Sequence, residues 1–116
     1  MYNSEKYISQ TLESLLCQTL KDFEVIIVDD CSTDNSVAVV ENFIPRFAAQ
    51  GINFNLIELP TNSGTPGLPR NIGVEVACGK YVAFLDSDDL FMETALEELA
   101  TLLKKKQRTL YTRILF

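Results

Sequence analysis

At 116 residues, 47% of them hydrophobic, the sequence is long enough for one folded domain with a modest core and too apolar for a disordered segment. It has no histidine, and its three cysteines, Cys17, Cys31 and Cys78, show no C-x-x-C spacing. This argues against a zinc site and against any triad built on an imidazole, leaving acid–base chemistry to carboxylates. The net charge of −6 is unevenly spread, with all sixteen acids between Glu5 and Glu98 against five bases in residues 1–103, a balance that disfavours nucleic acid as a partner of the main body.

In chain order, Ser4 is a capping residue ahead of a helix whose apolar positions Ile8, Leu12, Leu15 and Leu16 form one stripe. Phe23 to Val28 reads as a strand, and its Val25–Val28 run is apolar on both faces, as a parallel strand covered above and below requires. The polar turn Asp29-Asp30-Cys31-Ser32-Thr33-Asp34 leads to a second helix carrying Val37, Val40, Ile44 and Phe47 inward, with Pro45 expected to kink or end it early. Asn53 to Leu59 is a more polar strand, placed near a sheet edge. Residues 60–71, rich in Pro and Gly, read as a loop, followed by a short helix over about Asn71 to Cys78 that Gly79 stops. Tyr81 to Leu85 is a second wholly apolar strand, and a last helix over about Met92 to Lys106 buries Ala95, Leu96, Leu99, Leu102 and Leu103. The alternation α-β-α-β-α-β-α predicts an α/β fold with a mostly parallel sheet and right-handed crossovers.

No apolar run approaches the ~20 residues that span a membrane. Unpaired thiols suit a reducing compartment, so the expected location is cytoplasmic. Five bases and no acid occupy the last thirteen residues, read as a solvated helix end that complements the helix dipole. Contact with the inner face of a membrane, or with a further domain, is the other reading of that basic end.

Both apolar strands end in carboxylates, Asp29 and Asp30 after one and Asp86, Asp88 and Asp89 after the other. In an open parallel sheet the C-terminal strand ends share one rim, and ligands bind there. Two strands apart on that rim is about 10 Å, close to the separation of a nucleoside base from its diphosphate. Carboxylates ~4 Å apart repel by about 4 kcal/mol at an effective dielectric near 20. Asp86 and Asp88, a D-x-D pair, therefore invite a divalent cation, and their hard oxygens suit Mg²⁺ or Mn²⁺. Helix capping by the same Asp and Ser residues is the competing structural reading.

Five segments sharpen the choice: Tyr2-Asn3-Ser4-Glu5-Lys6-Tyr7-Ile8, Leu15-Leu16-Cys17-Gln18-Thr19, Phe23 through Asp34, Pro69-Arg70-Asn71-Ile72-Gly73, and Phe84-Leu85-Asp86-Ser87-Asp88-Asp89. Together they resemble the inverting GT-A-fold glycosyltransferases of family 2, over Tyr2 to about Lys106. The resemblance implies a Rossmann-like half that binds a nucleotide-diphosphate sugar, a UDP-sugar first of all, for transfer to a glycan or lipid-linked acceptor in cell-surface polysaccharide synthesis. It implies that Tyr2 lies against the base, that Asp30 accepts from a base ring N–H with Asp29 supporting, and that Arg70 sits near phosphate. Asp86 would face the ribose or the metal, and Asp88 would hold the metal.

The sequence also departs from that pattern. The family's first strand would end where Met1 stands and would lie centrally, between the strands that contain Val28 and Leu85. The expectation is a first strand missing, a gap in the sheet, and self-association through two exposed strand edges. The acceptor side and the catalytic base are expected beyond Phe116, which makes residues 1–108 a partial nucleotide-sugar-binding subdomain that is inactive alone. Residues 109–116 form a β-prone, apolar tail that matches no family motif and is read as either a further strand or an artefact of truncation. Cys31 stands where glycine is usual, and Thr65-Pro66-Gly67-Leu68 is stiffer than the usual small-residue loop. A nucleotide-binding remnant without catalysis, and a phosphoacceptor receiver domain with its own acid pair and Mg²⁺, are the alternatives.

Overall fold

The computed structural model describes residues 1–64, 67–76, 81–85, 90, 92–104 and 112–115. Helix α1 (Ile8–Leu16) leads to strand β1 (Phe23–Asp29), α2 (Ser36–Ala49) to β2 (Asn53–Glu58), α3 (Gly67–Val76) to β3 (Tyr81–Phe84), and α4 (Ala95–Lys104) to β4 (Thr112–Leu115). The strands form a four-stranded sheet in the order β2-β1-β4-β3, and every neighbouring pair is parallel.

β1 is the spine of the fold. Its Val25 and Ile27 join Ile8, Leu12 and Leu15 of α1, Val40, Phe43 and Phe47 of α2, and Leu96 of α4 in the main core. Ile26 and Val28 point the other way, against Ile57, Leu59 and Ile72 of α3. The two-residue period of a strand thus divides one apolar run between two covered faces. β2 holds the edge and alternates exposed with half-buried residues, as its polar content predicts.

Several boundaries differ from the sequence expectations, each for a local reason. α1 begins at Ile8 rather than beside Ser4, because the Ser4 carbonyl closes a turn by accepting from Tyr7 and Ile8 N–H while its hydroxyl turns back to the Tyr2 carbonyl. α2 runs through Pro45 to Ala49. A proline inside a helix costs ~3 kcal/mol or more, and here the turn beyond it is anchored by Phe47, fully buried with its ring 5.0 Å from that of Phe54. α3 starts at Gly67, within the expected loop, which puts Pro69 in the first turn where a helix needs no N–H donor. In α4 Leu96 is fully buried but Leu99 is 40% exposed. Three residues advance a helix by about 300°, which carries Leu99 to the edge of the buried stripe.

The largest correction concerns the expected gap. β4 lies between β1 and β3 and pairs with both, so Thr112–Leu115 of the tail form a central strand. The facing edges of β1 and β3 are therefore covered, and self-association through them loses its basis.

Candidate functional site

The C-terminal ends of β1, β2 and β3 lie along one rim, as parallel strands must. Asp29 ends β1 and Asp30 follows it; the two residues are 2% and 7% exposed. Buried carboxylates need donors, and each finds its own. The Asp29 carboxylate accepts from the backbone N–H of Ser32 at 3.0 Å and from the Ser32 hydroxyl, closing the turn. The Asp30 carboxylate accepts from the Ser63 N–H at 2.8 Å and the Ser63 hydroxyl at 2.9 Å, across the rim from the loop that follows β2.

Between these two turns Cys31 adopts φ 61°, the left-handed region where glycine is usual, and its thiol points to the Pro60 carbonyl at 3.7 Å. This accounts for the departure noted at that position: the strain falls on a small side chain with a local partner. Asn62 prepares the other side. Its amide donates to the Asp30 carbonyl at 3.0 Å while its carbonyl oxygen accepts from Gly64 N–H at 2.7 Å, an Asx turn that aims Ser63 at Asp30.

The N-terminal segment is stitched to the same rim. The Met1 ammonium donates to the Val28 carbonyl at 2.8 Å, and Asp30 N–H donates to the Met1 carbonyl at 2.8 Å. Asn3, at φ 47°, accepts from Thr33 N–H at 2.8 Å through its side chain and donates its own N–H to the Ser32 hydroxyl at 2.9 Å. Tyr2, held between them, is 49% exposed at the site's edge.

Asp34 completes the clasp. It accepts from Glu5 N–H at 3.2 Å and Ser36 N–H at 2.9 Å, and from the Ser36 hydroxyl. Burial works to raise its carboxyl, but the bonds from the Ser36 hydroxyl, from Ser36 and Glu5 N–H and from its own N–H outweigh burial and hold it below its ordinary value. A depressed carboxyl contributes stability above its unfolded pKa and loses it as pH falls through the folded one. The amide resonances of Glu5 and Ser36 are therefore expected to move together on acidification with a midpoint below 3.8, the ordinary Asp value. Asp34→Asn should abolish that transition, and separate midpoints for the two amides would break the link.

The structure thus brings Tyr2, Asp29 and Asp30 together, and places Arg70 in the first turn of α3, the helix that follows the Asn62–Ser63 loop. Asp86, Asp88 and Asp89 lie outside the described residues, as do Cys78 and Gly79. Asn3, Ser32, Asn62 and Ser63 are site residues that the strand-end acids alone do not indicate. The signal for the last two is the Asn-x-Gly spacing just after β2, an Asx turn at the rim.

The Gln18-Thr19 pair has a supporting part. Gln18 is 1% exposed; its amide donates to the Met92 carbonyl at 2.8 Å and its carbonyl accepts from Leu96 N–H at 3.1 Å. Thr19 N–H donates to the Glu93 carbonyl at 2.9 Å. Two residues from the end of α1 thus cap the start of α4, the helix that follows the second acidic strand end.

The chain aligns with known proteins over nearly its whole length. It is 44% identical over 101 residues to the poly(ribitol-phosphate) beta-N-acetylglucosaminyltransferase TarS of Staphylococcus aureus, covering 85% of this chain and 17% of that protein. It is 43% identical over 98 residues to a poly(ribitol-phosphate) beta-glucosyltransferase of Bacillus spizizenii, covering 83% and 15%. The crystal structure of S. aureus TarS residues 1–349 in complex with UDP superposes with a TM-score of 0.83 at 40% identity, over 92% of this chain and 31% of that one. The chain therefore spans about a sixth of these curated relatives, and the fold is the α/β nucleotide-binding part of the GT-A architecture. The sequence matches the description Glycosyl transferase family 2 over residues 1–115, and the chain belongs to that family.

Proposed function

We propose that this chain is the nucleotide-sugar-binding part of a glycosyltransferase that moves a sugar from a UDP-sugar to a cell-surface glycan or lipid-linked acceptor. The observation that carries the proposal is the rim itself. A buried Asp30 stands beside an exposed Tyr2 at the C-terminal end of a parallel sheet, in a chain 40% identical to a protein crystallised with UDP. In this reading Tyr2 stacks on the base, Asp30 accepts from its ring N–H, and Asp29 keeps the turn in shape through Ser32. Arg70 approaches the phosphates from the first turn of α3, where the helix dipole also favours an anion.

A divalent cation, Mg²⁺ or Mn²⁺, belongs to the acids after β3. No cluster of three or more metal-binding side chains occurs among the described residues. Asp86 and Asp88, hard carboxylate donors without histidine or thiolate beside them, fit such a cation. When bound it would neutralise charge on the departing nucleoside diphosphate. The free thiols of Cys17 and Cys31 suit a reducing, cytoplasmic setting.

Calorimetry of the chain with UDP, GDP and dTDP, each with and without Mn²⁺, tests this directly. Metal-dependent binding with UDP preferred is the expected result. Binding indifferent to metal, or no binding of any of the three, would sink it.

A further inference from the structure

Gln18 is 1% exposed, and every polar atom of its side chain is engaged. Its Nε2 donates to the Ser14 carbonyl at 3.0 Å and to the Met92 carbonyl at 2.8 Å, and its Oε1 accepts from Leu96 N–H at 3.1 Å. Two carbonyls on one side and an N–H on the other fix which way the amide faces. A Glu in its place would set a carboxylate oxygen against both carbonyls, and a Met would withdraw all three bonds.

The bonds that leave α1 fall on one short stretch of chain. α4 begins at Ala95, so Leu96 N–H is among the first four N–H groups of the helix, which have no partner within it. A helix ordinarily finds such an acceptor on its own capping residue. Thr94, directly before Ala95, donates its hydroxyl to the Glu98 carboxylate at 3.2 Å instead, and the acceptor for Leu96 comes from 78 positions away. Thr19 adds a bond from its N–H to the Glu93 carbonyl at 2.9 Å and one from its hydroxyl to the Glu97 carboxylate at 2.6 Å. Gln18 and Thr19 hold the entry to α4.

That entry is also one end of the acidic segment. Leu85, 6% exposed, belongs to the main core together with Leu15, Leu16 and Leu96. Residues 86–91 join this buried point to Met92. Asp86 follows the first anchor directly, and Asp88 stands four residues before the second. Neighbouring carboxylates repel one another until a cation lies between them. A segment tied at both ends has fewer ways to spread apart, so less of the cation's binding goes into reassembling its ligands.

We propose that Gln18 is a positioning residue for the cation site. By fixing the Met92 carbonyl and Leu96 N–H it sets the second anchor of the 86–91 segment, and so keeps Asp86 and Asp88 ready for Mg²⁺ or Mn²⁺. The inference rests on the assignment of the cation to those acids. Gln18 itself acts through the chain it holds, without touching metal or nucleotide. The base side of the rim is independent of it, because Asp29 and Asp30 are held by Ser32 and Ser63 through bonds in which α4 takes no part. Loss of Gln18 therefore weakens the metal-dependent part of nucleotide binding and spares the rest.

The test is calorimetry of UDP binding to the full chain, without metal and across a series of Mn²⁺ concentrations, for the wild type and for Gln18→Met. The Mn²⁺ concentration that half-completes the gain in UDP affinity should rise roughly ten- to a hundredfold, the usual loss when an outer partner of a metal site is removed. UDP affinity without metal should stay near its wild-type value. An unchanged Mn²⁺ midpoint would show that the acidic segment needs no anchor at Met92, and equal losses with and without metal would make Gln18 a residue of general stability; either overturns the proposal. Gln18→Glu keeps the volume and the bond from Leu96 N–H but loses both donors, and it is read in the same way if Gln18→Met does not fold. Failure of both variants to fold would assign Gln18 to stability alone and reject the positioning role. A wild-type chain whose UDP binding gains nothing from Mn²⁺ would instead fault the assignment of the cation itself, whereas a wild-type gain that Gln18→Met retains in full faults only the part given to Gln18.

Discussion

Phe47→Ala is expected to lower the unfolding free energy by about 3–5 kcal/mol, the usual loss for a buried phenylalanine truncated in place. Phe47 is fully buried, and its ring meets Phe54 of the edge strand at 5.0 Å with a 43° tilt. It also lies just beyond Pro45, whose missing N–H leaves the helix without one of its ladder bonds. The substitution therefore removes both the packing between α2 and β2 and the anchor that keeps the helix going past the proline. A domain of this size is stable by roughly 5–15 kcal/mol, so the loss is a large share of the whole. It should appear as a lower denaturant midpoint at unchanged slope. Phe47→Leu, which keeps most of the volume, should cost under about 1.5 kcal/mol. A Phe47→Ala loss below about 1 kcal/mol would mean that Phe43 and Val40 hold α2 without it.

What could be read in the sequence was what depends on near neighbours or on strict period. β1 shows as an apolar run because both its faces are covered, and β2 shows its edge position in its polar alternation. The acidic turn after β1 was legible as a turn at a strand end, but whether Asp29 and Asp30 shape that turn or meet a ligand was not, since helix capping calls for the same residues. The start of α3 was misread because Pro69 and Gly67 look like loop residues, although a first helical turn tolerates both. Pro45 misled in the opposite sense, since the tertiary anchor at Phe47 overrides a local penalty.

The β-prone character of the tail was legible, but the central place of β4 was not. Four residues after a run of bases carry no pattern that names a partner, and their partner Phe23–Ile26 lies near the other end of the chain. Ser63 was missed for the same cause. A serine in a Gly/Pro-rich loop signals a turn, and only the register of β2 on β1, with Glu58 opposite Asp29, brings it to the Asp30 carboxylate. Long-range pairing decides both, and neither leaves a periodic trace.

Asp30→Ala and Asp88→Ala should separate the two halves of the proposed donor site. Asp30 is a buried carboxylate whose two oxygens already accept from Ser63, so a base N–H would bind to a preset acceptor, one that need not reorganise on binding. A hydrogen bond to a charged group is worth about 1.5–3 kcal/mol, so Asp30→Ala should weaken UDP binding by roughly ten- to a hundredfold. Its dependence on Mn²⁺ should survive, because the cation is assigned to the other strand end. Asp88→Ala should act the opposite way, abolishing the gain from Mn²⁺ while leaving the metal-free affinity near its original value. Ser63→Ala is the control, since it withdraws one donor from Asp30 and leaves the carboxylate itself in place. Its effect on UDP should be small compared with Asp30→Ala. Titration calorimetry of the three variants with UDP, with and without Mn²⁺, distinguishes the cases. Small and equal losses for Asp30→Ala and Asp88→Ala would assign both acids to capping the helices that follow their strands, and the nucleotide would then have to bind elsewhere on the chain.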